Sequence, residues 1–296
     1  MNSKDVKAKA LRLGFSACGM ARALPLDADA QAHFGRWLAE GAHAGMDYMA
    51  RNVRLRMDPS LLVPGAQTVV SVALPYRPAH PVEGLAWYAQ GKDYHVVVKD
   101  RLQQLMQEIG ATGRCFVDTA PLAEKYWAWR CGLGWQGRHT QLVIPGQGSM
   151  FFLGELVVEQ MADSYDEPME NHCAACRRCV DACPAHALDR GWVDARRCLS
   201  YLTIEHRGPW LSPLRLSSAF YGCDECLKAC PHGSHAPCGD AAFQPSDALL
   251  AMTSASWRTL TLEQYQQLFK GSAVKRAKYD GIMRNIRAWD PSGLDN

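Results

Sequence analysis

The sequence predicts an α+β fold in three parts: a layer at 1–165, a cysteine-rich segment at 166–245 and a helical, basic tail at 246–296. Three observations lead there. Apolar runs with strand and helix periods are interleaved over the first part, as in a sheet covered by helices. Eight of the twelve cysteines crowd between Cys173 and Cys230. Beyond them the chain returns to helical spacing with an excess of Lys and Arg.

Residues 3–13 read as a helix, with Ser3 as N-cap, Val6, Ala10 and Leu13 on one apolar face, and Gly14 as the stop. Gln67 to Leu74 is a short β-branched run that reads as a buried strand halted by Pro75. Val98, Leu102, Leu105 and Ile109 recur at helical spacing over 95–109, and Gly110 closes that helix. Arg114 to Asp118 reads as a strand ending on an acid. Pro121 then stands where a helix would open, running over 122–131 to Gly132. Residues 140–144 and 150–158 read as two strands joined through Pro145-Gly146-Gln147-Gly148, a hairpin-type connection.

The cysteine pattern carries the chemistry. His172-Cys173-x2-Cys176-x2-Cys179-x3-Cys183-Pro184 and Cys223-x2-Cys226-x3-Cys230-Pro231 are ferredoxin-type runs, with Cys198 between them. In such a run three thiolates wrap one 4Fe–4S cubane and the cysteine before proline ligates the other. Two cubanes need eight thiolates, and eight are present. The rule wires Cys173, Cys176, Cys179 and Cys230 to one cluster, and Cys183, Cys198, Cys223 and Cys226 to the second. A disulfide framework suits a short secreted chain. Zinc would use two C-x2-C pairs and leave the third cysteine and the Cys-Pro turns without a purpose. Cys18, Cys115 and Cys131 read as buried small hydrophobes, and Cys238 as a surface thiol.

Composition is that of an ordinary globular protein, 48% apolar and 21% charged, with a net charge of +2. No apolar run approaches the ~18 residues of a membrane span, and Met1 to Gly14 has no signal-peptide core. Many cysteines without an export signal point to the cytoplasm. Lys270, Lys275, Arg276, Lys278, Arg284 and Arg287 are opposed only by Asp280, and such a stretch attracts phosphates or forms a solvated face.

Other motifs divide between structure and function. Gly132-x-Gly134-x-x-Gly137 has a dinucleotide-binding spacing, with Glu155 at the distance of a ribose contact. Its context is reversed, with a helix before it and a strand after it. The glycines therefore serve a tight turn or a close backbone approach. Asp93-Tyr94-His95 opens like the D-x-H-x-x-G motif of some cobalamin proteins, but Val98 stands in place of glycine, so Asp93 reads as a helix cap. Asp118 stands where a strand hands over to a helix; it reads first as a cap, and as a general acid if burial raises its pKa. His172 and His232 flank cluster cysteines as neighbours rather than ligands.

Several stretches together resemble the epoxyqueuosine reductase family over almost the whole chain. They are Tyr48 to Asn52, Gly91 to His95, Val117 to Pro121, Gly132 to Trp135, Phe151 to Glu155, Asp194 to Glu205, Tyr221 to Cys226 and Gly271 to Asn285. The resemblance implies a cytoplasmic enzyme that removes the epoxide oxygen from epoxyqueuosine at the tRNA wobble position, giving queuosine. It implies base-off cobalamin, two 4Fe–4S clusters and a corrinoid-binding α+β domain like that of reductive dehalogenases, followed by a ferredoxin-like domain. Asp118 matches the family's proton-donor position. Arg51 and Asp194 follow from matching motifs as cobalamin contacts; Tyr88, His139, Thr140, Gln141, Ser149 and Asp224 join them as candidates. Residues 132–155 form the expected cobalamin bed. The basic residues named above would neutralise tRNA phosphates, with Tyr201 near the anticodon. A ferredoxin or flavodoxin is the expected electron donor and a monomer the expected state. Many family members continue into HEAT-like repeats that grip tRNA, whereas this sequence stops at Asn296.

Two rivals stand beside this reading. A corrinoid reductive dehalogenase would ordinarily carry a twin-arginine signal. A plain electron-transfer protein would leave the first 165 residues without a task.

Overall fold

A computed structural model describes residues 1–212, 214–216, 218–233 and 236–290, so the last six positions of the expected tail lie outside the described residues. The first layer is a four-stranded antiparallel sheet. Its strands are β1 (Ala17–Arg22), β2 (Thr68–Pro75), β4 (Gly113–Phe116) and β7 (Phe151–Val158), in the order β1-β2-β7-β4. Every residue of β2 is buried because both faces of the sheet are covered. Val70, Val72 and Leu74 face a core shared with helices α1 (Ser3–Arg12) and α5 (Tyr94–Glu108). Val69 and Ala73 face the opposite core, shared with α6 (Glu124–Arg130). The side-chain period of two along a strand divides them in this way.

Helix α5 follows its sequence closely. Val98, Leu102 and Leu105 are fully buried, Asp93 caps the helix by accepting the His95 N–H, and Gly110 takes the left-handed conformation after its end. The helix can lie close to β7 because Gly154 presents no side chain. A Cβ there would stand 2.7 Å from Val98 Cγ1 and 2.8 Å from Leu102 Cδ1. At α1 the cap is Asn2, whose side chain accepts the Asp5 N–H, not the expected Ser3. Ser3 instead faces the segment after the sheet: its N–H donates to Asp163 and its hydroxyl meets Ser164 at 2.6 Å. Lys7 and the Met20 N–H both engage Asp166.

Three other expectations are corrected. Pro75 lies inside β2 as its last residue, where the ladder no longer needs its missing N–H. Helix α6 starts three residues later than Pro121 suggests, and its N-cap is Ala123. The two strands thought to form a hairpin do not pair. β6 (Leu142–Val143) pairs with β5 (Trp135–Gln136), while β7 enters the main sheet, and only Ile144 and Gly148 bridge across the turn. Strand β1 and helix α2 (Ala28–Ala39) were not foreseen, the first because Ala17-Cys18-Gly19 has little strand character.

Short helices α3 (Asp47–Ala50) and α4 (Val53–Met57) follow α2. The cysteine segment contributes α7 (Arg178–Asp181), α8 (Leu199–Ile204), strand β8 (Ala219–Tyr221) and α9 (Glu225–Lys228). Strand β3 (Gly84–Leu85) pairs in parallel with β8, which ties this segment to the first layer. The tail folds as α10 (Asp247–Leu250), α11 (Ser254–Arg258), α12 (Leu262–Leu268) and α13 (Lys278–Ala288). It does not stand apart: Trp257, Phe269, Ile282 and Trp289 share one core with Val82, Leu85, Leu199 and Phe220. Asn285 is the polar pin of that core. It is fully buried, and its amide donates to the Thr203 and Phe220 carbonyls at 2.8 and 2.9 Å.

Candidate active site

Asp118 sits just beyond β4 with φ at 56°, a left-handed conformation that aspartate tolerates better than most residues. It does not cap α6. Its Oδ2 accepts the Tyr94 hydroxyl at 2.5 Å and lies 3.2 Å from His95 Nε2, and its N–H donates to Glu124 Oε1. His95 Nδ1 in turn lies 2.7 Å from Asp93 Oδ1. Both imidazole nitrogens thus face carboxylates, so His95 is not available as a metal ligand. Partial burial pushes Asp118 upward, but the hydrogen bonds from His95 and Tyr94, with the charges of His95 and Lys125, leave its carboxyl below the usual range. The general-acid reading depended on burial raising its pKa; in the structure 56% of the Asp118 side chain is exposed. His95 moves the other way. Burial lowers it, and the two aspartates outweigh that and raise its pKa.

Glu124 and Lys125 open α6 beside this group. Burial first, and then the charge of Asp118, pushes Glu124 up to about 8. Burial lowers Lys125, partly offset by Glu124, Asp118 and Cys226. The charge of Lys125 also helps burial to lower His139 to about 4. Lys125 therefore feels the charges of the acidic group and of Cys226, and its own charge reaches His139 in the 132–149 loop.

The eight cysteines fall into two sets. Burial raises Cys179 and Cys230, and Cys173 pushes both further, with Cys176 acting on Cys230. Burial likewise raises Cys226, and Cys223, Cys198 and Cys183 add to it. These influences run within the two groups that the ferredoxin rule suggests. Among the described residues no three His, Cys, Asp or Glu side chains converge tightly enough to enclose a single metal ion. Trp135 lies between His172 and His232, each 4.9 Å away edge-on, at the side of the first quartet. Of the other cysteines, Cys131 is buried and Cys238 exposed, while Cys18 and Cys115 are partly buried.

The 132–149 loop holds unsatisfied polar atoms. His139 Nε2, Ser149 Oγ, Gln147 Oε1 and Trp135 Nε1 are buried without a hydrogen-bond partner in the protein. Buried polar groups are ordinarily paired, so four orphans in one loop fit a large ligand with a polar edge, as the amides of a corrin would provide. The glycines serve the loop itself: a Cβ on Gly134 would stand 2.0 Å from the Val143 carbonyl oxygen. Thr140 is left-handed, and Gln141 donates its N–H to His139 Nδ1.

The other expected residues are dispersed. Tyr88 packs edge-on to Tyr94 at 6.4 Å, beside Asp118. Arg51 is exposed at the end of α3. The Asp194 carboxylate is already held by Arg196 at 2.8 and 2.7 Å. Asp224 accepts the Trp87 N–H at the wall of a cavity of about 300 Å³. Tyr201 holds the Gly45 N–H with its hydroxyl. Lys270, Lys275, Lys278 and Arg287 are exposed. Arg276 is paired with Glu205 at 2.8 and 2.6 Å. Arg284 donates to the carbonyls of Leu202, His206 and Gly208 and to Asn285, which makes it a strut of the fold rather than a free cation. Glu155, considered for a ribose contact, is fully buried in β7 against Ser71 and reaches no ligand surface. Glu124 and Lys125 were not singled out in the sequence, where they look like an ordinary first turn of a helix.

A family model described as "Epoxyqueuosine reductase QueG, DUF1730" matches residues 56–119, and a "4Fe-4S double cluster binding domain" matches 172–233. An epoxyqueuosine reductase of Cellulophaga algicola is 39% identical over 97% of this chain and 99% of its own length. The structure of the epoxyqueuosine reductase from Streptococcus thermophilus matches with a TM-score of 0.84 at 27% identity, over 96% of this chain and 79% of that one. A crystal structure of an epoxyqueuosine reductase with an epoxyqueuosine-modified tRNA-Tyr stem loop shares the fold, with a TM-score of 0.87 at 24% identity over the same shares. With a curated relative 39% identical over nearly the whole of both chains, the chain belongs to the epoxyqueuosine reductase family.

Proposed function

We propose that this chain reduces the epoxide of epoxyqueuosine at the tRNA wobble position to the alkene of queuosine, using cobalamin and two 4Fe–4S clusters. The observation that carries the proposal is the convergence on Lys125 of the Asp118 group, Cys226 and the orphan-bearing loop. On this reading proton delivery, electron delivery and the cofactor bed adjoin one another. Cys173, Cys176, Cys179 and Cys230 would hold one cluster, and Cys183, Cys198, Cys223 and Cys226 the other, for one-electron supply. His139 and Ser149 would meet the polar edge of the corrin, with Arg51, Tyr88, Thr140, Gln141, Asp194 and Asp224 around it. Bound cobalamin supplies a strongly reducing cobalt centre for C–O cleavage.

Asp118 hands a proton to the leaving oxygen. Its carboxyl rests ionised, so the proton must reach it during turnover, and His95 holds one 3.2 Å away. Asp93 fixes the imidazole, and Tyr94 fixes the carboxylate. Exposed Lys270, Lys275, Lys278 and Arg287 neutralise tRNA phosphates, and Tyr201 lies near the anticodon, whose target nucleotide is extruded into the cleft. A ferredoxin or flavodoxin is the proposed electron donor, and the proposed enzyme is a cytoplasmic monomer. Among the described residues no helix is long and apolar enough to cross a membrane. The test is mass analysis of wobble nucleosides after incubation of the reconstituted protein with epoxyqueuosine-containing tRNA and a reductant. Queuosine should appear. With Asp118→Asn its formation should slow by about 10²–10⁴-fold while tRNA binding persists. Unchanged epoxyqueuosine with wild-type protein would refute the reading.

A further inference from the structure

Turning an epoxide into an alkene breaks two C–O bonds, forms one C–C π bond and releases the oxygen as water. Two electrons and two protons enter. The electrons arrive singly from the clusters, and the Asp118–His95 pair accounts for one proton. The structure holds a second store beside it.

Glu124 opens the stripe of α6 that faces the sheet, with Ala128 and Cys131 following at helical spacing, both fully buried. On the sheet, Ser71 and Glu155 are register partners in β2 and β7 and point to this same side, as Val69, Ala73 and Val157 do. Glu155 is 0% exposed. Its Oε1 accepts the Ser71 hydroxyl at 3.1 Å, and its Oε2 has no hydrogen-bond partner in the protein. Three carboxyls thus run from solvent to core: Asp118, exposed; Glu124, half-buried and touching the Asp118 backbone; Glu155, sealed in the sheet. Neighbouring carboxyls with different environments separate their protonation states.

We propose that Glu124 stores the second proton of the reduction and passes it through Asp118 to the departing oxygen, its own carboxyl kept neutral by its partly buried seat on α6 beside Asp118. This rests on the epoxide-reducing reading and deepens it. The groups facing Glu124 are Asp118 beyond β4, Tyr94 and His95 on α5, Arg56 on α4, Lys125 on α6 and Glu155 on β7. Burial dominates for both glutamates and raises both, Glu155 the more strongly. Asp118, with His95 and Tyr94 as donors, is lowered, so the resting proton sits on Glu124.

The first measurement uses the protein without cofactors. Infrared spectra with ¹³C-labelled glutamate should show protonated carboxyl bands at neutral pH. Glu124→Gln should remove one band and Glu155→Gln another. Glu124→Gln should also reduce the loss of stability that wild type shows as pH rises from the ordinary glutamate range through about 8, removing the Glu124 share and leaving those of Glu155 and His95, since a raised carboxyl stabilises the fold only while it keeps its proton. The second measurement is single-turnover reduction against pH in loaded enzyme. Glu124→Gln should slow it by about 10²-fold at neutral pH and change the alkaline limb of the profile to the one set by His95 alone, with tRNA affinity unchanged. A neutral-pH spectrum with Glu124 ionised, or superimposable pH profiles for Glu124→Gln and wild type, would overturn the proposal. If wild type reduces no epoxyqueuosine while the Glu124 band is present, the functional reading fails and the proton store stands as a site for another reduction.

Discussion

The seat of helix α5 on the sheet can be tested by removing and refilling one contact. Leu102 is fully buried, and its Cδ1 would stand 2.8 Å from a Cβ added to Gly154. Leu102→Ala deletes three carbons; at ~0.8 kcal/mol per buried CH₂ the transfer loss is about 2.4 kcal/mol. The cavity left behind brings the total to about 2–5 kcal/mol. Gly154→Ala alone pushes a methyl into Leu102 and Val98 and should cost about 1–3 kcal/mol by overpacking. In the double variant the new methyl enters the space that Leu102 vacated. The two costs should then fall short of their sum by about 1–2 kcal/mol, within the coupling of contacting residues. Urea midpoints of the four proteins at one pH, with the slope checked for constancy, give the cycle. Additivity within about 0.5 kcal/mol would mean that Gly154 is not there to admit α5. Because α5 carries Tyr94 and His95 at its first turn, Gly154→Ala should also disturb the Asp118 contacts, seen as a shift of the His95 imidazole resonances.

Three further outcomes are expected. Cys198→Ala should lose about half the iron of the reconstituted protein, because one quartet falls to three thiolates while metal binding and folding remain coupled; full iron content would remove Cys198 from the ligands. Lys275→Glu combined with Lys278→Glu should weaken tRNA binding and lower its salt slope, since both side chains are exposed cations, whereas Arg284→Ala should lower the unfolding midpoint instead, because its partners are carbonyls of the fold. His95 carries a raised pKa, so its contribution to stability is full below the ordinary imidazole value and is lost as pH rises through the raised one; Asp93→Asn should flatten that change, and a titration by NMR that leaves the imidazole pKa where it was would refute the role of Asp93.

What could be read in the sequence was whatever is local. The α5 face and the Asp93 cap each depend on spacing along a few residues, and each stands as the sequence suggested; the two cysteine quartets are spacing readings of the same local kind. The hairpin failed because β7 found better partners in β2 and β4, and pairing across a sheet is decided by the whole layer. Asp118 looked like a cap since nothing nearby in sequence shows that Tyr94 and His95, over twenty residues earlier, come to meet it. Arg284 looked like a phosphate ligand for the same reason: its acceptors lie more than seventy residues away. Glu124 carries no local mark at all, and its character comes from the sheet beneath it.

The anchoring of the chain's first residues has a consequence for its birth on the ribosome. Ser3 and Lys7 find their polar partners at Asp163, Ser164 and Asp166, about 160 positions downstream. At roughly 5–20 residues per second, those partners are made on the order of ten seconds later. For that interval the amino-terminal helix lacks its polar clasp, and the first layer closes only as the cysteine segment begins to emerge. Iron–sulfur loading thus starts on a scaffold that has just locked, with the early helix arriving as a latch rather than as a foundation.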